Sequence, residues 1–150
     1  MMMKKQLFFI ALCMCVSTFL NAQSVKFTST AKLAAAQSGT TMTVNYKYTV
    51  LVDGNISCGI NLLDKWTYVS NLVSLSNPVV AGTDVIGSFK LNIPKGAKLS
   101  SDLKGNLNYK IMIELRKKSG GDWLAGDYPS TPIEITSKIN YLDPRVRGIK

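Results

Sequence analysis

Two alternating stretches near the middle of the chain predict β-strands with one buried face. Every second residue from Met42 to Val52 is apolar, and the residues between them are mostly polar. A period of two places all the apolar side chains on one face of a strand. After Asp53-Gly54-Asn55, a sequence typical of tight turns, the alternation resumes from Ile56 to Leu62. The pattern therefore predicts a β-hairpin made of these two strands.

Similar patterns predict further strands on both sides of this pair. Apolar residues alternate over residues 89–93 and stop at Pro94, which cannot donate to a sheet ladder. A longer alternation covers residues 107–117 and ends at Ser119-Gly120-Gly121. Further candidate strands are residues 25–27, 66–75 and 133–135. Only residues 30–37, with three consecutive alanines, are a candidate helix, and that segment is short and lacks an apolar stripe.

The number and length of these elements predict the fold class. About seven short strands and almost no helix indicate an all-β domain. Because the spacings are uneven and the middle connection is long, a two-sheet antiparallel β-sandwich is favoured over a closed barrel. The predicted fold is an immunoglobulin-like or fibronectin type III-like sandwich.

The first 22 residues have the pattern of a secretory signal peptide. Lys4 and Lys5 precede an apolar run from Leu7 to Leu20, and the small residue Ala22 stands at a plausible cleavage point. We therefore expect a protein that is secreted or located in the periplasm or cell envelope. No integral membrane segment is expected after cleavage, because the apolar run is short for a membrane span.

The rest of the chain divides into two predicted parts. Residues 23–137 are predicted to form the β-sandwich domain. Residues 138–150 lose the alternation and are rich in lysine and arginine, which indicates a basic C-terminal tail. The whole chain carries a net charge of +9, and a positive surface favours acidic partners.

The order of strand motifs resembles a known type of module. The chain reads TVNYKYTV, INLLDKW, GSFKLNIP and LNYKIMIELRKKSGGDWLAGDYPSTPIEIT over about residues 40–136. In this order it is similar to small β-sandwich modules in secreted proteins of polysaccharide-degrading bacteria. The resemblance implies an immunoglobulin-like or fibronectin type III-like fold and a role that involves carbohydrate.

Composition argues against an enzyme. The chain has no histidine, so neither a Ser-His-Asp nor a Cys-His catalytic arrangement is available. Glycosidases need only two carboxylates, but the acids here are interpreted as solvated side chains of a basic domain. The candidates considered for such a pair are Glu114, Asp122, Asp127 and Glu134. No cofactor is expected.

A metal site is not predicted either. Residues 53–64 imitate part of a calcium-loop spacing, but Cys58 stands where that loop needs glycine for its sharp turn. Cys58 also alternates with Ile56 and Ile60, which predicts a small buried hydrophobe in preference to a reactive thiol.

Aromatic residues supply the candidate ligand contacts. Trp123 and Tyr128 lie in GGDWLAGDYP, a connection between two predicted strands, where they either stack a sugar ring or cover an open end of the core. Trp66, beside Lys65, has the same two interpretations. Nearby Lys117 and Lys118 are predicted to attract anionic groups.

Two functional hypotheses follow from these residues. The first is an exported, non-catalytic module that binds an anionic or neutral polysaccharide weakly through Trp66, Trp123 and Tyr128. The alternative is a structural or protein-interaction module of the cell envelope, in which an exposed edge strand or the tail 138–150 docks an envelope protein. Nucleic acid is not an expected partner, because most of the lysines are scattered along the sequence.

Overall fold

A computed structural model describes residues 23–28 and 33–137 of the protein. Within these ranges the chain is all-β, with nine strands, a short 3-10 helix at Ser100–Asp102, and no α-helix. The strands are β1 Ser24–Phe27, β2 Ala35–Gln37, β3 Thr41–Val50, β4 Gly54–Asp64, β5 Thr67–Val79, β6 Gly82–Asn92, β7 Leu107–Lys117, β8 Trp123–Asp127 and β9 Glu134–Thr136. None of the described residues forms a helix that is both long and apolar enough to cross a membrane.

The strands form two larger antiparallel sheets and one small parallel pair. The first sheet has the order β1-β3-β6, and the second has the order β5-β4-β7-β8. Strands β2 and β9 pair in parallel, with Ala36 opposite Ile135. The two larger sheets are joined at one side by Asp127 of β8, whose Oδ2 accepts a hydrogen bond of 2.9 Å from the Phe27 amide of β1.

Both larger sheets contribute to one continuous hydrophobic core. The central strand of each sheet alternates apolar and polar residues, so one face of each strand is buried. The buried members are Val44, Tyr46 and Tyr48 of β3, Ile56, Cys58 and Ile60 of β4, Phe89 and Leu91 of β6, and Ile111, Ile113 and Leu115 of β7. Burial of each large apolar side chain stabilises the fold by roughly 1.5–3 kcal/mol. The core therefore holds together a domain whose described residues contain a single free cysteine, Cys58.

The predicted strands at residues 89–93 and 107–117 are confirmed. Strand β7 covers the second range in full, and β6 ends at Asn92, just before Pro94. The shorter candidates at residues 25–27 and 133–135 correspond to β1 and to the region of β9, and the candidate at 66–75 lies largely within the longer strand β5.

The predicted hairpin between residues 41–52 and 56–62 is wrong. Strands β3 and β4 both exist, but β3 pairs with β1 and β6, whereas β4 pairs with β5 and β7. Gly54 does not adopt the positive φ that a tight hairpin turn needs. A Cβ atom at Gly54 would lie 2.6 Å from the carbonyl oxygen of Arg116, so glycine allows β4 to approach β7. The chain crosses between the sheets here, which leaves Val52 exposed.

Three other expectations need correction. The described residues contain nine strands where about seven were predicted, and the pair β2–β9 is parallel within an otherwise antiparallel arrangement. Residues 35–37 of the candidate helix form β2, because their backbone pairs with β9. Residues 29–32 lie outside the described residues, as do the predicted signal peptide 1–22 and the predicted tail 138–150.

Candidate ligand-binding face

One face of the four-stranded sheet points away from the core and carries the predicted aromatic residues. On β7, the side chains of Lys110, Met112, Glu114 and Arg116 alternate with the core residues and therefore belong to this face, here called the outer face. In register, Lys110 lies opposite Asn61 of β4, Met112 opposite Gly59, and Glu114 opposite Ser57. Apart from Met112, the outer face thus has polar or small residues along its centre.

A chain of hydrogen bonds holds Trp123 and Tyr128 at one end of the outer face. Trp123 lies opposite Arg116 in the register of β7 and β8. Its indole Nε1 donates to the Tyr128 hydroxyl over 3.2 Å, and that hydroxyl donates to Glu114 Oε1 over 2.9 Å. Arg116 completes the chain through its Nη2, which lies 2.8 Å from Glu114 Oε2. These four residues are called the Trp123 cluster.

Glycine at position 126 allows Tyr128 to fold back over β8. A Cβ atom at Gly126 would lie 2.5 Å from Cε2 of Tyr128, closer than such atoms approach in proteins. The ring is therefore packed on bare backbone while its hydroxyl reaches the Trp123 cluster. Burial is the main reason that the pKa of Tyr128 is raised; the hydrogen bond from Trp123 lowers it, and the bond to Glu114 raises it.

Trp66 lies at the other end of the outer face, in the turn between β4 and β5. Its ring covers the ammonium group of Lys110, with Nζ 4.1 Å from the ring centroid. Lys110 is only 6% exposed, and its Nζ also donates to the carbonyl oxygen of Ser130. A cation held against one face of an indole favours a fixed ring position. Trp66 and Lys110 are called the Trp66 cluster.

Both tryptophan rings are open to solvent. Trp66 is 63% exposed, Trp123 is 54% exposed and Tyr128 is 39% exposed. None of the three belongs to the hydrophobic core. The interpretation of these aromatics as covers for an open end of the core is therefore wrong.

A shallow depression of about 140 Å³ lies between the two clusters. Its floor is at Gly59, where a Cβ atom would lie 2.8 Å from the carbonyl oxygen of Val73. Apart from Glu114, which is paired with Arg116, the lining residues are uncharged. They are Ser57, Cys58, Gly59, Asn61, Ser74, Met112 and Glu114. The depression thus offers small polar groups between two aromatic ends.

Hydroxyl and amide side chains form pairs along the edge of this depression. Asn71 Nδ2 donates to Asn61 Oδ1 over 2.8 Å, and Ser57 Oγ donates to Ser76 Oγ over 2.9 Å. Both bonds are exposed, so each group has solvent as an alternative partner. Such groups exchange partners with an incoming hydroxyl at little cost.

Lys117 and Lys118 do not join either cluster. Lys117 follows Arg116 on β7, so its side chain is on the face of the strand that carries the core residues. It is nevertheless exposed, because it is the last residue of the strand. Lys118 begins the turn to β8, and its amide donates to the Asp53 carbonyl oxygen over 3.1 Å. The basic groups beside the aromatic rings are instead Lys110 and Arg116, which the sequence reasoning did not select. The sequence feature that could have indicated them is their place among the polar positions that alternate with the apolar residues of β7.

Two of the four candidate acids, Asp127 and Glu114, have structural contacts, as does the cysteine. Asp127 accepts from the Phe27 amide and lies 3.7 Å from Lys26 Nζ, while Glu114 belongs to the Trp123 cluster. Cys58 is buried as predicted, and burial raises the pKa of its thiol to about 12. Among the described residues, no group of three or more Cys, Asp or Glu side chains is arranged to hold a metal ion.

Two larger depressions occur elsewhere, near β2 and β9. One of about 570 Å³ is lined by Ser38, Gly39, Lys95, Ala97, Leu99 and Ser137. The other, of about 390 Å³, includes Ala36, Thr41 and Met42. Neither lining includes a residue of the four-stranded sheet, beside which the exposed Trp66 and Trp123 lie, so the outer face of that sheet is the better candidate for a site that stacks rings.

No protein-family model matches the chain, and comparison with curated proteins finds no similar sequence. The candidate site therefore stands on its own geometry.

Proposed function

We propose that this protein is an exported, non-catalytic β-sandwich module that binds polysaccharide on the outer face of its four-stranded sheet. The observation that carries the proposal is the placement of Trp66 and Trp123 on one face, both exposed. Tyr128 extends the second aromatic end. Lys117 and Lys118, which were predicted to attract anionic groups, are not included in this site.

Stacking of sugar rings is the interaction that the aromatic side chains favour. The C–H face of a pyranose ring is apolar and matches the area of an indole, while its hydroxyls need polar partners at the rim. Trp123 is tethered through Nε1, and Trp66 rests on Lys110. Rings that are already fixed lose less conformational entropy on binding, which favours even a shallow site.

For the fold, we propose an immunoglobulin-like sandwich. If β1, β3, β4, β5, β6, β7 and β8 are strands A, B, C, C′, E, F and G, the sheets have the orders A-B-E and C′-C-F-G. Tyr109, near the start of β7, adds support: its hydroxyl donates to the Lys98 carbonyl oxygen over 3.0 Å. A tyrosine that bonds back to the preceding connection at this corner is typical of immunoglobulin-like domains.

For location, the proposal rests on residues 1–22. Their basic start, apolar run and small residue at position 22 are typical of a signal for export. A secreted or cell-envelope protein would meet polysaccharide in quantity, which agrees with the proposed ligand.

Tryptophan fluorescence tests the binding proposal directly, because the chain has two tryptophans and both are in the proposed site. We expect a red-shifted emission in the free protein, since both rings are exposed, and a shift or quench on addition of one polysaccharide from a panel. Trp123→Ala should weaken binding about ten-fold or more while the unfolding temperature changes little, because the ring is outside the core.

Ile86→Ala is the matched control, because Ile86 is an exposed apolar residue of the other sheet. Its binding should equal that of the unchanged protein. Unfolding of Trp123→Ala, or binding unaffected by that substitution, would contradict the site.

A second candidate function is favoured by strand β5. This edge strand has thirteen residues, pairs only with β4 in its sheet, and contains no charged residue. Leu75 is 41% exposed on it. Free strand edges pair readily with a partner strand, so β5 supports the alternative of a protein-interaction module.

A further inference from the structure

The length and charge of the outer face narrow the class of ligand. Lys110 beneath Trp66 and Arg116 opposite Trp123 are six residues apart on β7. At about 3.3 Å per strand residue, the two clusters are roughly 20 Å apart. A monosaccharide or disaccharide is too short to contact both, whereas a longer chain reaches from one to the other.

The charged side chains of β7 on this path are already neutralised or covered. Glu114 is paired with Arg116 at 2.8 Å, and the amine of Lys110 is directed at the Trp66 ring and the Ser130 carbonyl. Between the clusters the row Met112, Gly59 and Ser74 carries no charge. The charged groups of an anionic polysaccharide would lose water there without gaining an unpaired cation as a partner, and this loss is unfavourable.

The depression at Gly59 lies on the line between the clusters. Gly59 has no side chain that would fill it, and it is lined by the half-buried side chains of Ser57 and Asn61 and by the exposed side chain of Ser74. These groups match the donors and acceptors of sugar hydroxyls.

Resting on the proposed function, we propose that the ligand is an uncharged polysaccharide chain that lies along β7, with its sugar rings on Trp66 at one end and on Trp123 at the other.

The first arm of the test compares neutral and anionic polysaccharides by affinity electrophoresis of the purified protein. We expect retardation by a neutral polysaccharide, unchanged between roughly 0.05 and 0.5 M NaCl, because screening does not weaken stacking. Lys117→Ala/Lys118→Ala should bind like the unchanged protein. Binding that requires an anionic chain, and that salt or this double variant removes, would overturn the inference while leaving polysaccharide binding intact.

The second arm uses the length of the ligand. A series of oligosaccharides from the retained neutral polysaccharide should gain affinity with length until both clusters are contacted. Trp66→Ala and Trp123→Ala should each remove that gain, so that the longest oligosaccharide binds each variant about ten-fold more weakly than it binds the unchanged protein, or worse. A disaccharide that binds as tightly as the longest oligosaccharide would overturn the extended path.

The third arm places opposite charges at one exposed position in the middle of the path. Ser74→Lys and Ser74→Glu both add a long charged side chain beside Gly59, with opposite signs. Both variants should reduce the affinity for a neutral ligand, and the two reduced affinities should agree within about two-fold. For an anionic ligand, lysine should raise the affinity and glutamate should lower it. The unfolding temperature of each variant serves as the folding control. If no polysaccharide is bound in any arm, the proposed function itself fails, and the inference fails with it.

Discussion

At the scale of single residues, the arrangement of Lys110 is unusual. A lysine that is 6% exposed normally needs a paired carboxylate, yet here the amine contacts an indole face and a backbone carbonyl. The aliphatic part of the side chain is buried with the rest of the residue, so Lys110 joins apolar packing to a fixed cation. Lys110 therefore positions Trp66, and its own charge is not available to a ligand.

Replacement of Lys110 by methionine should release Trp66. Methionine keeps an unbranched apolar side chain but loses the cation over the ring and the donor to Ser130, so we expect a loss of stability of about 1–2 kcal/mol. Chemical unfolding and fluorescence anisotropy in a Trp123→Phe background, where Trp66 is the remaining tryptophan, measure both effects. Lys104→Met, at an exposed lysine, is the control. Equal stability and equal anisotropy in the two variants would contradict the positioning role.

At the scale of elements, sequence patterns predicted where the strands lie better than they predicted which strands pair with each other. The alternation in residues 41–50 and 107–117 marked β3 and β7 and the buried face of each, because alternation is a property of the strand itself. The hairpin failed because pairing depends on both sheets at once. Gly54 reads as a turn residue in sequence, but it serves a close approach to Arg116 that becomes visible only in three dimensions.

Strand β5 is a second element whose full extent the local sequence pattern did not predict. Its irregular pattern of apolar residues arises from two bulges, where Leu72 and Val69 have no partner in the register with β4. A bulge shifts the alternation by one residue, so a period of two is not visible along the whole strand. The sequence pattern accordingly predicts a shorter strand, residues 66–75, than the strand Thr67–Val79 that the structure has.

The uncharged edge of β5 should be the site at which the protein associates with other strands. Leu75→Lys places a charge on this edge and should reduce light scattering on warming, because charged edges resist strand pairing. Ile86→Lys is the control: β6 is also an edge strand, but it already carries Asp84 and Lys90, so one more charge should have less effect. In the alternative function, Leu75→Lys would also abolish recovery of an envelope partner. Equal scattering by both variants would show that association does not depend on β5.

At the scale of the whole molecule, stability rests on one core that both larger sheets share. Phe89 of β6 stacks on Tyr46 of β3 with centroids 5.1 Å apart, and Cys58 of β4 is buried in the same cluster. Ionisation of a group inside this core would therefore act against folding.

High pH should destabilise the domain through Cys58. Burial raises the pKa of its thiol from 9.0 to about 12, so the folded state keeps the proton while the unfolded chain loses it. Stability is thus unaffected by this group below pH 9 and falls between pH 9 and 12, at about 1.4 kcal/mol per pH unit. Urea unfolding from about pH 8 to 11 measures the slope.

Cys58→Val is the control for this pH dependence. The variant retains the buried tyrosines Tyr46 and Tyr109, whose pKa values burial also raises. The difference between the two proteins therefore reports the thiol, together with the smaller effect of its charge on the pKa of Tyr46. We expect the unchanged protein to lose stability more steeply above pH 9, and parallel curves would contradict the burial of Cys58.

The sequence by itself determined the all-β class, the position of most strands, the buried faces of β3, β4 and β7, and the burial of Cys58. These are local properties, since an alternating segment has one apolar face whatever it pairs with. Only the tertiary structure decided which strands are neighbours, and thereby that Trp66 and Trp123 share one face with Lys110 and Glu114 between them. The physical reason is that register and sheet order depend on contacts between residues far apart in the chain, which no local pattern records.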